Sequence, residues 1–260
     1  MNIFICVKQV PDTETKVVPN GDGTFIETST VKWVMNPYDE FAVEESLKIK
    51  DVNSTVILVR VGSIQKDEAL RTGMAMGADE AILVEAPDNL DSYSIAKALK
   101  AAIEKSGKSA DLILTGKQAV DDDCMQVPQI LAEMLGLPSV TVVSKMDKND
   151  NGFTLKREVD GGAVEVYTAE MPLLVAVTKG INVPRYPSLP GIMKAKKKPF
   201  TQLSLSDVGV SDADRKIKYS NIHLPKEKAP GKKFDALDET KISSVVKNVS
   251  NLLKSEAKVL

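Results

Sequence analysis

The residues best placed to do chemistry lie in Gly116-Lys117-Gln118-Ala119-Val120-Asp121-Asp122-Asp123-Cys124-Met125-Gln126-Val127, where an apolar run passes into a helical pattern. Gly116 permits a sharp turn off the end of a strand. Pro128 has no N–H and is tolerated only in the first turn of a helix, which sets the helix start near Met125. The amides of Gln126 and Val127 then have no intrahelical partner and sit at the positive end of the helix dipole, which is the chemistry of a phosphate site. Asp121, Asp122 and Asp123 act against it, because three carboxylates turned on a phosphate would repel it. One of them reads as a helix cap and another as a turn former. The same spacing also suits a plain acidic turn ahead of a capped helix.

Two further segments belong to the same edge of the fold. One is Val7-Lys8-Gln9-Val10-Pro11. The other is Met35-Asn36-Pro37-Tyr38-Asp39, where Asn36-Pro37 sets a turn before a helix, Asn36 can hydrogen-bond a base or ribose, and Asp39 lies in the first turn. Three such loops converging would make an adenine-nucleotide pocket. Devices for bond-making are missing: there is no G-x-x-x-x-G-K-[ST] or G-x-G-x-x-G run, no G-x-S-x-G elbow and no Cys/His pairing at metal spacing. Cys6 falls in the first strand and reads as buried and inert. The single histidine, His223, lies in a polar stretch and reads as a surface residue. A bound nucleotide would therefore be structural, or the chain supplies half of a site that a partner completes.

A different chemistry is written in Val183–Lys198. Three prolines within seven residues rule out a regular helix or a central strand by this reading. Leu189 stands among them with Arg185 and Tyr186 nearby, and a basic run follows. Apolar anchors flanked by charge suit a protein–protein contact. An interdomain linker with a solvated lysine run has the same composition.

The elements that must position these residues follow from periodicity. Ile3–Val7, Val56–Val61, Ala81–Val84, Leu112–Leu114 and Val140–Val143 are apolar runs of buried-strand type. Tyr38–Lys50, Ile64–Met76, Ser92–Lys105 and Met125–Leu135 alternate with them as helices. This pattern predicts right-handed crossovers and a doubly wound, mostly parallel sheet. Ligands of such sheets bind outside the carboxyl ends of the strands, here the loops after the first, second and fourth. Phe153–Val159, Ala163–Thr168 and Leu173–Thr178 read as an antiparallel extension. Residues 200–240 are polar and Lys-rich, the profile of an extended arm. Ile242–Leu253 reads as an amphipathic helix that needs another surface, or its own domain, to cover its apolar face. The expected division is 1–200 as an α/β domain and 201–260 as arm and helix.

Composition sets the outer bounds. With 260 residues, 43% hydrophobic, the chain can bury a full core. A net charge of −2 gives no field to attract nucleic acid. Two cysteines make no disulfide framework, and no run approaches a membrane span. The N-terminus enters a strand without the pattern of a secretion signal. The expectation is a soluble, intracellular protein of a reducing compartment.

Taken together, Val7-Lys8, Met35-Asn-Pro37 with Ala42-Val-Glu-Glu45, the Gly116–Cys124 run and the Pro184–Lys198 run closely resemble the β subunit of electron-transfer flavoprotein. Ala75-Met-Gly-Ala-Asp79 and Arg157-Glu-Val-Asp-Gly-Gly162 add to the likeness, which covers Met1 to about residue 200 and continues more loosely beyond. The resemblance implies a Rossmann-like, adenine-nucleotide-hydrolase-like fold and an electron carrier rather than an enzyme. It implies a heterodimer with an α subunit that holds most of an FAD, and an AMP without redox role in the β subunit. By position the AMP site would be Cys6, Asn36 to Asp39, Val61 and Gly116 to Val127, with Tyr38 near the flavin. Leu189 would insert into partner dehydrogenases such as acyl-CoA dehydrogenases, helped by Arg185, Tyr186, Pro190, Ile192 and Met193, with Lys194 and Lys197 tuning the docking. Glu158 would help hold a mobile flavin domain, and the arm and last helix would wrap the α subunit. Electrons would pass to a membrane quinone oxidoreductase in fatty acid β-oxidation, in the cytoplasm or, in a eukaryote, the mitochondrial matrix.

Departures and rivals sharpen these expectations. Met125 and Val127 stand where some AMP-binding members have Asn and Thr, so backbone amides would have to hold the phosphate. Bifurcating members carry a second FAD in place of AMP, with a Gly-Asp-Thr-Ala-Gln-Val-Gly type of loop. Gln126-Val127 is similar to that loop, whereas Asp122-Asp123-Cys124 favours AMP. An adenine-nucleotide hydrolase or ligase would need a Ser-Gly-Gly-x-Asp-Ser-like loop after the first strand. A homodimeric nucleotide-binding stress protein would lack the Lys-rich segment.

Overall fold

The computed structural model describes residues 1–65, 67–228, 230–235 and 238–260. They form two compact units, Met1–Ile222 and His223–Leu260. Lys66, within the helix expected over Ile64–Met76, lies outside the described residues, as do positions 229, 236 and 237 of the expected arm.

In chain order the strands of the first unit are β1 (Asn2–Cys6), β2 (Gln9–Pro11), β3 (Trp33–Met35), β4 (Thr55–Gly62), β5 (Glu80–Glu85), β6 (Leu112–Gly116), β7 (Ser139–Lys148), β8 (Gly152–Glu158), β9 (Val164–Glu170), β10 (Leu173–Val177) and β11 (Phe200–Ser204). Its helices are α1 (Pro37–Ile49), α2 (Glu68–Met76), α3 (Ser92–Lys105), α4 (Val127–Leu135) and α5 (Leu189–Ala195). Nine strands form one sheet in the order β11-β5-β4-β1-β6-β10-β7-β8-β9. From β11 to β7 neighbours run parallel; β8 and β9 add an antiparallel end. The doubly wound α/β fold with an antiparallel extension is therefore present.

Strand periodicity divides the core into two layers. Ile3, Ile5, Val56 and Leu58 face one side, with Ala42 and Val43 of α1 and Leu70 and Met74 of α2. Phe4, Cys6, Ile57 and Val59 face the other, with Leu99 and Ile103 of α3 and Leu131 of α4. The central strands are buried on both faces, which is why they read as continuous apolar runs.

Four expectations are corrected. Leu173–Thr178, expected in the antiparallel extension, is the parallel strand β10 between β6 and β7; its five fully buried apolar residues suit a central position. Phe200–Ser204, expected in an extended arm, is an edge strand paired with β5. The loop after β1 is not plain, because Gln9–Pro11 pairs antiparallel with Trp33–Met35. Leu189–Ala195 is helical despite its prolines. Pro190 sits in the first turn, where no N–H is required, and the Ser188 hydroxyl accepts from the Gly191 N–H as a cap.

The second unit contains α6 (Glu239–Leu252), continued by a π turn over Leu253–Ala257. The Asp238 carboxylate caps it through the Thr240 N–H. Ile242, Val246 and Leu253 are exposed on it.

The position of β10 makes Leu174 part of the central sheet. Leu174→Ala lowers unfolding free energy by about 2–5 kcal/mol, as for other large-to-small core changes. Denaturant titration checks this; a loss under about 0.5 kcal/mol, typical of a surface position, would contradict the placement.

Candidate functional site

The chain leaves β1 for β4 on one side and returns through β6 on the other. The carboxyl ends of β1 and β6 therefore flank the point where strand order reverses, which is where sheets of this kind open a crevice. A cavity of about 330 Å³ lies there, at the small end of the range for small-molecule sites.

One carboxylate joins the two strand ends. Asp39 Oδ2 accepts the Lys8 N–H at 2.7 Å, and Asp39 Oδ1 accepts the Gly116 N–H at 3.0 Å. Asp39 can reach both because Asn36-Pro37 starts α1 directly above them, with Pro37 in its first turn. Gly116 is glycine for a reason other than the expected turn: a Cβ there would stand 2.6 Å from the Tyr38 Cβ. The first turn of α1 lies against β6 and leaves no room for a side chain.

Asn36 completes the clamp. It is 1% exposed, its Nδ2 donates to the Gln118 carbonyl at 2.8 Å, and its Oδ1 accepts the Val120 N–H at 3.2 Å. The amide expected to read a base or ribose instead holds the loop after β6. Lys117 Nζ lies 5.3 Å from the centre of the Tyr38 ring, within cation–π range.

The acidic run is partly offset from within, one lysine facing two of its three carboxylates. Lys8 Nζ donates to Asp121 Oδ1 and to Asp122 Oδ2, both at 2.8 Å. Burial works against the Lys8 charge, but the two carboxylates outweigh it and hold its pKa above the ordinary lysine value. Asp122 is also partly desolvated, yet Lys8 keeps it below the usual carboxylate range. Asp122 Oδ1 accepts the Cys124 N–H, and Asp123 accepts from Gln118 Nε2. None of the three caps α4, because that helix has no side-chain cap bond; they are engaged with Lys8 and with the turn.

Asp123 and Met125 adopt left-handed φ angles of 49° and 53°, and Gln126 then returns to the right-handed region ahead of Val127. This alternation, at the start of a helix, turns successive amides to one side as an anion-binding concavity does. Cys6 is buried, and burial, with Asp39 beside it, pushes its thiol pKa well up.

Of the expected residues, Cys6, Asn36, Asp39, Val61, Gly116, Gln118, Ala119, Asp121, Asp122, Cys124, Met125, Gln126 and Val127 line the cavity. Pro37, Tyr38, Lys117, Val120 and Asp123 do not line it. Three features of the wall were not anticipated. Arg60 stands on β4. Leu90 and Asp91 follow β5, whose loop the sequence reading left out although it leaves the same sheet edge. Phe25, Trp33, Tyr219 and Ile222 come from the β2–β3 excursion and from the strap after β11. Asp91 Oδ1 caps α3 through Ser94, while its Oδ2 accepts the Lys216 and Ile217 amides. The Ile222 N–H then reaches the Gly23 carbonyl at 2.8 Å. These bonds hold the strap across the cavity.

The second candidate region is separate. Tyr186 is 95% and Leu189 74% exposed, and Ile192, Met193, Pro190, Lys194 and Lys197 are exposed with them. Arg185, expected to face a partner, forms a two-bond pair with buried Glu44, Nε–Oε2 2.7 Å and Nη2–Oε1 3.0 Å, which fixes the loop to α1. Gly191 lets α5 lie against the Ala75 carbonyl, and Lys198 Nζ donates to the Met74 and Ala78 carbonyls at the end of α2. Apolar side chains are thus displayed on a short helix whose backbone is held firmly. Glu158 is exposed at the end of β8. Among the described residues no cluster of His, Cys, Asp and Glu could hold a metal ion, and no helix is long and apolar enough to cross a membrane.

A family model described as electron transfer flavoprotein domain matches residues 23–208. The electron transfer flavoprotein subunit beta of Bacillus subtilis is 39% identical, with the whole of both chains covered. That of Bradyrhizobium diazoefficiens is 40% identical, again over the whole of both. The mitochondrial electron transfer flavoprotein subunit beta of Arabidopsis thaliana is 41% identical over 92% of this chain and 95% of its own.

Asp39 generates the prediction here. Asp39→Ala strips a buried and a part-buried amide of their acceptor, at up to about 3 kcal/mol each, and lowers stability by about 1–6 kcal/mol in denaturant melts. Burial, against the opposing backbone bonds, raises the Asp39 pKa from 3.8 to about 7. Below pH 3.8 folded and unfolded forms both hold the proton; between 3.8 and about 7 the folded form alone retains it. The stability from this group is therefore present at acid pH and lost as pH rises through about 7. Asp39→Asn removes that part of the slope, and an unchanged pH profile would contradict the assignment.

Proposed function

The chain belongs to the electron transfer flavoprotein β-subunit family, and from that membership we propose that it pairs with an α subunit, holds one AMP in the cavity between β1 and β6, and docks flavin dehydrogenases through α5. It is a carrier subunit rather than an enzyme. The observation that carries the AMP reading is the conjunction of a cavity of about 330 Å³ with the start of α4 in its wall, where no side chain caps the helix. The volume is enough for a mononucleotide. Engagement of Asp121 and Asp122 by Lys8 lowers the repulsion of a phosphate there.

Within this reading the residues divide their work. The amides of Gln126 and Val127 bind the phosphate, with the helix dipole behind them. Asn36 and Asp39 orient the loop that presents those amides. The strap from Lys216 to Ile222 excludes water from the cavity mouth. FAD, bound mainly by the α subunit, supplies the redox chemistry; Tyr38, at the partly exposed start of α1, is the residue of this chain assigned to its vicinity. Glu158 is assigned to holding the flavin domain, and α6, with its exposed apolar side chains, to the α subunit. The carrier then delivers electrons from dehydrogenases such as acyl-CoA dehydrogenases to a quinone oxidoreductase, within the cytoplasm or mitochondrial matrix.

The docking role rests on the exposed Leu189, Ile192 and Met193 of α5. Burying one leucine is worth about 1.5–3 kcal/mol, enough for brief association. In the heterodimer, Leu189→Ala lowers kcat/KM for flavin reduction by an acyl-CoA dehydrogenase by about 10- to 100-fold while flavin content stays the same. Equal rates for variant and wild type would remove α5 from the docking surface.

A further inference from the structure

Arg60 is the one cation on the cavity wall, among the described residues, whose donors are left largely free. It lies near the carboxyl end of β4 and is 2% exposed. A guanidinium carries five N–H donors and no acceptor. Here Nη1 donates to the Ser63 carbonyl at 3.1 Å, and Nε is buried with no partner. No carboxylate among the described residues pairs with it directly. Asp88 and Asp67 act on it only through space, and Asp67 is itself paired with Arg71 at 2.6 Å. Burial pulls its pKa below the ordinary arginine value, yet arginine keeps its charge in proteins. A buried charge with so few hydrogen bonds is costly unless something else accepts them. Lys8, the other cation on the wall, is already engaged by two carboxylates.

Its location says which part of a ligand it meets. β4 lies beside β1, and β1 beside β6, from which the chain runs to α4. Two strand spacings, about 10 Å, therefore separate Arg60 from the end of β6. A nucleotide whose phosphate rests at the start of α4 and whose ribose and base run along that line brings them to Arg60, which shares the cavity wall. Ring nitrogens and ribose oxygens are acceptors, and they match a group that only donates.

We propose that Arg60 contacts the bound nucleotide at its nucleoside end, donating hydrogen bonds to base or ribose acceptors and so fixing the orientation of the ligand in the cavity. The proposal rests on the nucleotide reading of the site. It assigns this end of the ligand to a side chain, where the phosphate end is assigned to backbone.

The test is equilibrium binding of AMP and of adenosine, by calorimetry, to the heterodimer freed of nucleotide, with wild type, Arg60→Met and Arg60→Lys compared. Arg60→Met weakens both ligands by a similar factor of about 10- to 100-fold, the worth of a hydrogen bond to a charged group. Arg60→Lys, which keeps the charge and loses the fork, gives a smaller loss that is again shared by both ligands; it carries the test if the methionine variant does not fold. Flavin content of the complex, which a nucleoside contact does not touch, stays at the wild-type level. Unchanged affinities in the variants overturn the role of Arg60 and leave the nucleotide site standing. A loss confined to AMP also overturns it, since the guanidinium would then face the phosphate. Wild-type complex that binds neither ligand overturns the nucleotide reading, and this inference with it.

Discussion

The two hydrogen bonds that Asp39 accepts, from the Lys8 and Gly116 amides, hold together the ends of β1 and β6. These strands belong to opposite halves of the sheet and part company at this point. Without a bridge, two backbone N–H groups would be left at the mouth of a crevice. With it, the first turn of α1 is fixed over the switch point, and everything arranged around that turn inherits a position. Gly116 loses room for a side chain. Asn36 comes within reach of Gln118 and Val120. The loop after β6 is thereby held where its acidic run meets Lys8, the residue whose own amide the bridge has placed.

This sequence of dependences also fixes where the acidic loop carries its charge. Asp121 and Asp122 converge on Lys8, so their charge is offset in part. The left-handed turns at Asp123 and Met125 lead into α4, with the Asp123 and Cys124 amides already bonded to the Ala119 carbonyl and the Asp122 carboxylate. The second half of the molecule's design is independent of the first. Arg185 and Lys198 hold the α5 segment to α1 and α2, and Leu189, Ile192 and Met193 are left outward. One region encloses a cavity, the other displays apolar side chains on a firmly held helix.

How much was legible in the sequence follows from what decides each feature. The buried parallel strands and Ser92–Lys105 could be read because their periodicity is set by burial alone. Position within the sheet could not: Leu173–Val177 has the apolar run of any buried strand, and only its pairing partners make it central. Phe200–Ser204 is half-polar because it is an edge, so composition hid it. The helix of α5 was obscured by proline, although Ser188 and Pro190 stand at the cap and first turn where helices accept them. In the site, loop residues near the ends of β1 and β6 were found from strand ends and turn chemistry. Arg60, Trp33, Phe25 and Tyr219 were not, because they reach the cavity through tertiary contacts that leave no local signature. The loop after β5 could have been found by applying the strand-end rule to every parallel strand.

The claim on which the functional account turns is that the cavity at the β1–β6 crevice holds one AMP. It is tested most directly by co-expressing the chain with its α partner, denaturing the purified complex and quantifying the released nucleotides. The account predicts one FAD and one AMP for each heterodimer. Two FAD and no AMP would contradict it, and would make the crevice a second flavin site.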